Sequence, residues 1–328
     1  MLSEMNDTRI AAAILAAGKG TRLKTAWPKV LHPVCGRPML AHVIDACRSV
    51  GVQQCLVVVG YGKDMVIKAF ESDNRGLVWV EQAQQLGTGH AVMVCRDQIA
   101  GKLDHVLILC GDGPLIHSDT IKQLLARHLA EGNAATLATA ELEDPTGYGR
   151  IARDASGMLV GIVEEGNCTQ EQLGIREVNP SYYCFRVPEL LTALEQIKPD
   201  SAKGEYYITD CIALLIEAGH KVDAITAVPP ADVYSINTRK DLALVNRVMQ
   251  DRTNEVLMES GVTIVDPANT WIDARARIGQ DTVIHPFVCI EGRARIGRNC
   301  SLGPFAHIPE GTEIGDNVAM AALRGPIR

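Results

Sequence analysis

The patterned part of the chain begins with an unbroken apolar run, Ile10-Ala-Ala-Ala-Ile-Leu-Ala-Ala17, that stops at Gly18-Lys19-Gly20-Thr21-Arg22. A run without polar alternation suits a strand covered on both faces, as in a parallel sheet. Behind it, Leu40, Val43, Ile44 and Cys47 fall at helical spacing and predict a helix over Pro38 to Val50, and Gln54 to Gly60 reads as a second buried strand. The alternation continues with Lys63 to Phe70 as helix, Val78 to Glu81 as strand, His90 to Asp97 as helix and His105 to Leu109 as strand. Strand and helix in turn predict an α/β, Rossmann-like domain with a mostly parallel sheet, helices on both faces, and ligands beyond the carboxyl ends of the strands.

The period then changes. Arg239 to about Met258 carries Leu242, Leu244, Val245, Val248 and Met249 at helical spacing, and reads as a linker helix over 239–260. From Ile272 the aliphatic positions fall at six-residue steps: Ile278, Ile284, Ile290, Ile296, Leu302, Ile308 and Ile314, with Met320 next. Glycine follows at Gly279, Gly297, Gly303 and Gly315. This is a hexapeptide repeat, the pattern of a parallel β-helix in which each step makes one side of a triangular coil. The expected organisation is a domain over 1–238, the linker helix, and a short coil of about three turns over 261–328.

At 328 residues with 47% hydrophobic and 22% charged content, the chain has room for two globular domains. A formal net charge of −7 excludes a dedicated basic surface, so neither nucleic acid nor an anionic membrane is expected as a partner. The ten cysteines are scattered without a Cys-x-x-Cys pair, which favours small buried thiols in a reducing compartment over a metal or disulfide framework. Met1 to Arg9 is polar, and the apolar run behind it is too short to span a bilayer, so a cytoplasmic protein without signal peptide is expected.

The candidate chemistry lies in the turns after the strands. Gly18 and Gly20 open the backbone to a ligand whose anionic oxygens could meet its N–H groups, and Arg22 and Lys29 add positive charge. Neither the Gly-Lys-Ser/Thr of a Walker loop nor the third glycine of a Rossmann fingerprint is present. Gln82-Ala-Gln-Gln-Leu-Gly87-Thr88-Gly89 could meet the edge of a base, or simply start a helix with Thr88 as cap. Leu109-Cys-Gly-Asp112-Gly113 ends a strand in a carboxylate, either a turn residue or a hard oxygen ligand for magnesium facing a triphosphate. Asn237 closes an expected last strand, Val233 to Asn237, and could bind metal or cap the helix that follows; Thr209 or Asp210 is a plausible helix cap.

Leu15-Ala-Ala-Gly-Lys-Gly-Thr-Arg22 with Pro28-Lys29, and the later turns in the same order, resemble the sugar-1-phosphate nucleotidyltransferases. Within them the likeness is greatest to the uridylyltransferase half of the bacterial bifunctional enzymes that make UDP-N-acetylglucosamine. It runs from about Ile10 to Asn237 and continues, altered, into the repeat. The resemblance implies UTP and a hexosamine-1-phosphate as substrates, Mg²⁺ on Asp112 and Asn237, and Arg22 and Lys29 as catalytic residues. It assigns Leu15, Ala17, Gly18, Gly20, Gln82, Gly87 and Thr88 to the nucleotide, and Gly149, Glu164, Asn179 and Thr209 to the sugar. It also implies a left-handed coil and a homo-oligomer, a trimer in the related proteins.

Some positions depart from that pattern. Cys110 stands where a tyrosine is usual, Gly113 where a larger residue is common, and Pro180-Ser181 where Thr-Gly follows the asparagine. His307-Ile-Pro309 replaces arginines, and Val318-Ala-Met-Ala321-Ala322 lacks the lysines of the relatives' acetyltransferase domain, so acetyl transfer is expected to be absent. The alternatives are a different sugar-1-phosphate, or a non-catalytic nucleotide-sugar sensor or assembly protein.

Overall fold

A computed structural model of the chain describes residues 8–200 and 204–320. Met1 to Asp7, the residues 201–203, and Ala321 and Ala322 with the tail behind them lie outside the described residues. The chain divides into two compact units, one holding the residues up to His32 with Pro38–Thr238, the other Pro33–Arg37 with Arg239 onward.

The first unit is built on one nine-stranded sheet. Its strands are β1 (Ile10–Leu15), β2 (Gln54–Val59), β3 (Leu77–Glu81), β4 (His105–Cys110), β5 (Ala135–Glu141), β6 (Gly149–Arg153), β7 (Leu159–Val163), β8 (Glu177–Arg186) and β9 (Val222–Thr226). The order is β9-β5-β8-β4-β1-β2-β3, with β6 and β7 leaving the path as a hairpin paired to β8. Strands β4, β1, β2 and β3 run parallel, β9 pairs β5 in parallel, and β8 is antiparallel to both β4 and β5. The small residues of β1 explain its central place: Ala11 to Ile14 are all fully buried, Ala11 and Ala13 on the face that packs with Leu56, Val58, Val106 and Ile108. A strand with no exposed face tolerates no polar alternation, hence the unbroken run.

Three expectations are corrected here. The helix expected over His90 to Asp97 is two short helices, Thr88–Met93 and Arg96–Ile99. The break follows from Cys95, whose N–H bonds the carbonyl three residues back, at Val92, and tightens the turn. The helix Thr209–Glu217 has Ile208 at its cap position with no side-chain cap, so neither Thr209 nor Asp210 caps it; Ile208 N donates instead to Thr88 Oγ1 at 3.1 Å. Val233 to Asn237 forms no strand, because its backbone is held to the Asp112 turn by the bond from Ile236 N to Asp112 O and not by a ladder.

The second unit holds the helix Arg239–Glu259 and the coil. Gln250 and Asn254, both buried in the helix, bond each other at 2.9 Å; Gln250 also accepts from Ile272 N and Asn254 donates to Pro267 O. The expected linker is therefore packed against the first turn of the coil. Two-residue strands pair in parallel along three faces, each with the strand eighteen residues on, as Val283 with Ser301, Cys289 with His307 and Arg277 with Arg295. The first turn is longer: Ile264 pairs with Ile284, and a 3-10 turn at Pro267–Asn269 takes up the two extra residues. Ile272, Ile284, Ile290, Leu302 and Ile308 fill the core.

The corners carry a second period that is not visible in residue type. Asp281, Phe287, Arg293, Asn299, Phe305, Gly311 and Asn317 follow one another at six-residue steps, and every one has a positive φ. From Asp281 on, seven successive corners hold a left-handed residue, and only one of the seven is glycine.

No helix among the described residues is long and apolar enough to cross a membrane. All ten cysteines are free, and seven of them are buried.

Candidate active site

The site forms where β1 and β4 end side by side. Leu15 is in register with Cys110, and Gly111 N donates to Leu15 O at 2.9 Å, so the turn after β1 and the turn after β4 open on the same edge. Ile236 N then donates to Asp112 O at 2.9 Å, which draws Asn237 in from more than a hundred residues away.

The turn after β1 explains its composition. Gly20 lies at φ 64, and a Cβ there would come 2.7 Å from the Cβ of Lys29. Its glycine is thus demanded by the close passage of Lys29 as well as by the left-handed turn. Gly18 is different, since a Cβ there would meet no protein atom within 4 Å; the space above it is cavity. Lys19 turns aside, its ammonium 5.3 Å over the ring of Tyr61.

Lys29 is buried, 8% exposed, in the 3-10 turn Lys29–Leu31. Its Nζ donates to Asn237 Oδ1 at 2.9 Å and makes a close ion pair with Asp112 Oδ2. Arg22, exposed, donates to the same Asn237 oxygen at 2.9 Å. Asn237 Nδ2 donates to Ser235 Oγ, which fixes the amide with its oxygen toward the cations. One carboxylate and one amide oxygen thus converge on a cation, here the lysine's own. Among the described residues no group of three or more His, Cys, Asp or Glu is placed to hold a metal. Two protein oxygens suit magnesium, which keeps most of its shell for water and phosphate.

Two adjoining cavities open at this point. One of about 450 Å³ is lined by Leu15, Ala17, Gly18, Gly20, Arg22, Lys29, Gln82, Gly87, Thr88, Asp112 and Asn237. The other, about 280 Å³, is lined by Gly149, Glu164, Asn179 and Thr209, and shares Leu15, Thr88, Cys110, Asp112 and Tyr207 with the first. Every residue that the resemblance assigns to the nucleotide, the sugar, the metal or catalysis lines one of the two. The nucleotide candidates fall in the larger cavity, the sugar candidates in the smaller, and Asp112 stands between.

Some of these side chains are occupied in bracing the walls. Gln82 Nε2 donates to Gly87 O at 3.1 Å and pairs with His90 Nδ1 at 3.0 Å. Gly89 N donates to Tyr206 O at 2.7 Å, and Thr88 accepts from Ile208 N, so the Gln82 to Gly89 turn is stitched to the segment before the Thr209 helix. Burial pushes the Cys110 thiol up to about 12, with the neighbouring Asp112 carboxylate adding to the effect, so it stays neutral. A side chain at Gly113 would press on the Tyr182 hydroxyl at 3.3 Å, which accounts for the small residue there.

The segment Gly204-Glu-Tyr-Tyr207-Ile-Thr209 resembles the family's sugar-side segment, but only Thr209 was drawn from it; Tyr207 lines both cavities and Glu205 the larger. The signal available was the polar, aromatic stretch Gly204-Glu-Tyr-Tyr207 directly before Thr209.

Residues 12–208 match the MobA-like NTP transferase domain. The chain belongs to that family. The MobA-like NTP transferase domain is followed by a match to the bacterial transferase hexapeptide over 275–308. Two curated relatives are each named bifunctional protein GlmU. That of Pelotomaculum thermopropionicum is 46% identical over 85% of this chain and 60% of its own, and that of Streptomyces avermitilis 43% identical over 84% and 58%. The chain spans about 60% of the length of these relatives. A solved UDP-glucose pyrophosphorylase in complex with UDP-glucose superposes with a TM-score of 0.60, covering 75% of this chain and 99% of that one at 18% identity, a likeness of fold. These findings agree with the sugar-nucleotidyltransferase resemblance and with the α/β-plus-coil architecture read from the sequence.

Proposed function

We propose that the chain transfers the uridylyl group of UTP to N-acetylglucosamine-1-phosphate, releasing pyrophosphate. The observation that carries this reading is the pair of adjoining cavities that share Asp112, with Lys29 paired to it from the larger one. A nucleoside triphosphate in the larger cavity and a sugar phosphate in the smaller would meet end to end beside one carboxylate and the buried cation paired with it.

The attacking group is a phosphate oxygen of the sugar phosphate, already ionised at neutral pH. It forms the new P–O bond at the α-phosphorus as the bond to pyrophosphate breaks, and no proton need be removed. The protein's contribution is alignment and charge. The open backbone from Gly18 to Thr21, with Arg22, would receive the β- and γ-phosphates. Lys29, held in place by the Gly20 turn, would turn its ammonium to the α-phosphate as charge grows there. Gln82, Gly87 and Thr88 would meet the base, and Gly149, Glu164 and Thr209 the sugar. Asp112 and Asn237 are the residues that would hold Mg²⁺, which when bound would offset phosphate charge alongside the lysine. For residues 261–320 the reading assigns no acetyl transfer, since His307-Ile-Pro309 stands in place of the expected arginines. Thiol release from acetyl-CoA in the presence of glucosamine-1-phosphate would refute that part.

The test is pyrophosphate release from a panel of nucleoside triphosphates against sugar-1-phosphates with Mg²⁺. UTP with N-acetylglucosamine-1-phosphate should be fastest. Binding of UDP-sugars with no pyrophosphate released from any pair would overturn the reading in favour of a sensor.

A further inference from the structure

Strand β8 is interrupted on the floor of the smaller cavity. Its pairing with β5 slips between Val178 and Tyr182, so the residues between leave the β5 ladder; Asn179 stays paired with Gly149 of β6, and Asn179, Pro180 and Ser181 all line the cavity. Asn179 builds this bulge: its Nδ2 donates to the Tyr183 hydroxyl at 2.7 Å, and its Oδ1 accepts from Ser181 N at 3.0 Å. Buried at 7% exposure and bonded at both ends, Asn179 is a positioning residue for the loop.

What the bulge presents is Ser181. It sits at φ 67, a left-handed conformation disfavoured for any residue with a Cβ and free of that penalty for glycine. Strain of this kind persists where the surroundings hold it, and it concentrates at ligand sites. The Ser181 side chain lies beside the Cys110 thiol and the Tyr183 hydroxyl, in the wall that also holds Glu164, Tyr207 and Thr209. A hydroxyl has one proton and two acceptor positions, so one more partner can be accommodated.

We propose that Ser181 is a sugar-recognising residue: its hydroxyl, held out by the Asn179-pinned bulge, hydrogen-bonds a ring substituent of the hexose 1-phosphate and helps select the sugar. The inference rests on the functional reading above. A polar group built into a site discriminates strongly against losing its partner, far more than a change in apolar contact does.

The test is steady-state kinetics of the full chain with UTP and N-acetylglucosamine-1-phosphate, comparing wild type with Ser181→Ala and Ser181→Gly, alongside thermal melting. Both variants should raise KM for the sugar phosphate about tenfold, the loss of one hydrogen bond to an uncharged partner. KM for UTP should stay within about twofold. Ser181→Gly should also melt higher than Ser181→Ala, because it alone relieves the backbone. An unchanged sugar KM in both variants overturns the proposal, as does a rise in both KM values together with a lower melting temperature, the mark of a merely structural residue. A wild type that releases no pyrophosphate from any sugar phosphate overturns the functional reading and this proposal with it, whereas an active wild type with unmoved variants overturns this proposal alone.

Discussion

The Nζ of Lys29 lies 2.9 Å from Oδ1 of Asn237, a residue 208 positions further along the chain. A buried ammonium tied to a carboxylate and an amide is a preset charge, aimed by its neighbours before any substrate arrives. Lys29→Ala should lower kcat by about 10²-fold or more, with a smaller change in KM for the sugar phosphate. Steady-state kinetics decide it, and near wild-type turnover would remove Lys29 from the mechanism.

The same two oxygens give a metal prediction. Chelation by EDTA should abolish pyrophosphate release, and added Mg²⁺ should restore it. Asp112→Asn removes the one carboxylate at the junction of the cavities, and should lower kcat/KM by about 10²-fold or more at fixed Mg²⁺ while leaving the protein folded by circular dichroism. Full activity in excess chelator would count against any metal role for Asp112 and Asn237.

A pair of histidines at the opposite end of β4 predicts acid sensitivity. His105 Nδ1 and His128 Nε2 are 2.9 Å apart, and His128 Nδ1 lies 3.0 Å from Thr136 Oγ1. Burial lowers His128 to about 3, helped by His105 and Arg186. It also lowers His105, against the opposing pull of Asp104 and Glu189. The unfolded chain takes up these protons near pH 6.5, so between that value and the lowered ones it binds more protons than the folded chain. Stability is therefore full above about pH 6.5 and falls as pH drops below it, by up to about 1.4 kcal/mol per pH unit for each imidazole. Melting temperatures of wild type and His128→Gln between pH 7.5 and 5 should show a shallower fall in the variant; equal slopes would refute the assignment.

The coil corners give a prediction about backbone alone. Gly311 has φ 73 and no neighbour within 4 Å of where a Cβ would stand, so only conformation restricts it. Gly311→Asn should cost less than about 1 kcal/mol, because asparagine already serves at Asn299 and Asn317, whereas Gly311→Val should cost about 1–2 kcal/mol or more. Denaturant melts of the two variants side by side make the comparison.

What the sequence revealed and what it hid divide along physical lines. The apolar run of β1 and the six-residue aliphatic period were legible because burial writes itself into local pattern. The turns after β1, β3 and β4 were legible because glycine and polar residues break the apolar runs there, whereas Gly149, Asn179 and Thr209 came from the family resemblance. Hidden were the features set by distant parts of the chain. The purpose of Gly20 depends on Lys29, the approach of Asn237 depends on the Asp112 carbonyl, and the Thr88 hydroxyl is engaged by Ile208 N from 120 residues away. The left-handed corners escaped notice because aspartate, phenylalanine, arginine and asparagine share a torsion angle there and no chemistry.

Each turn of the coil repeats the pairing of the one before it, so its length is quantised. Adding or deleting eighteen residues hands every strand a partner of the same kind, and the apolar stack simply grows or shortens by one layer. An insertion of any other size has to be shunted out at a corner, as happens between Ile264 and Ile272. Length in this part of the molecule is thus a variable that can change in whole steps without redesigning anything inside it.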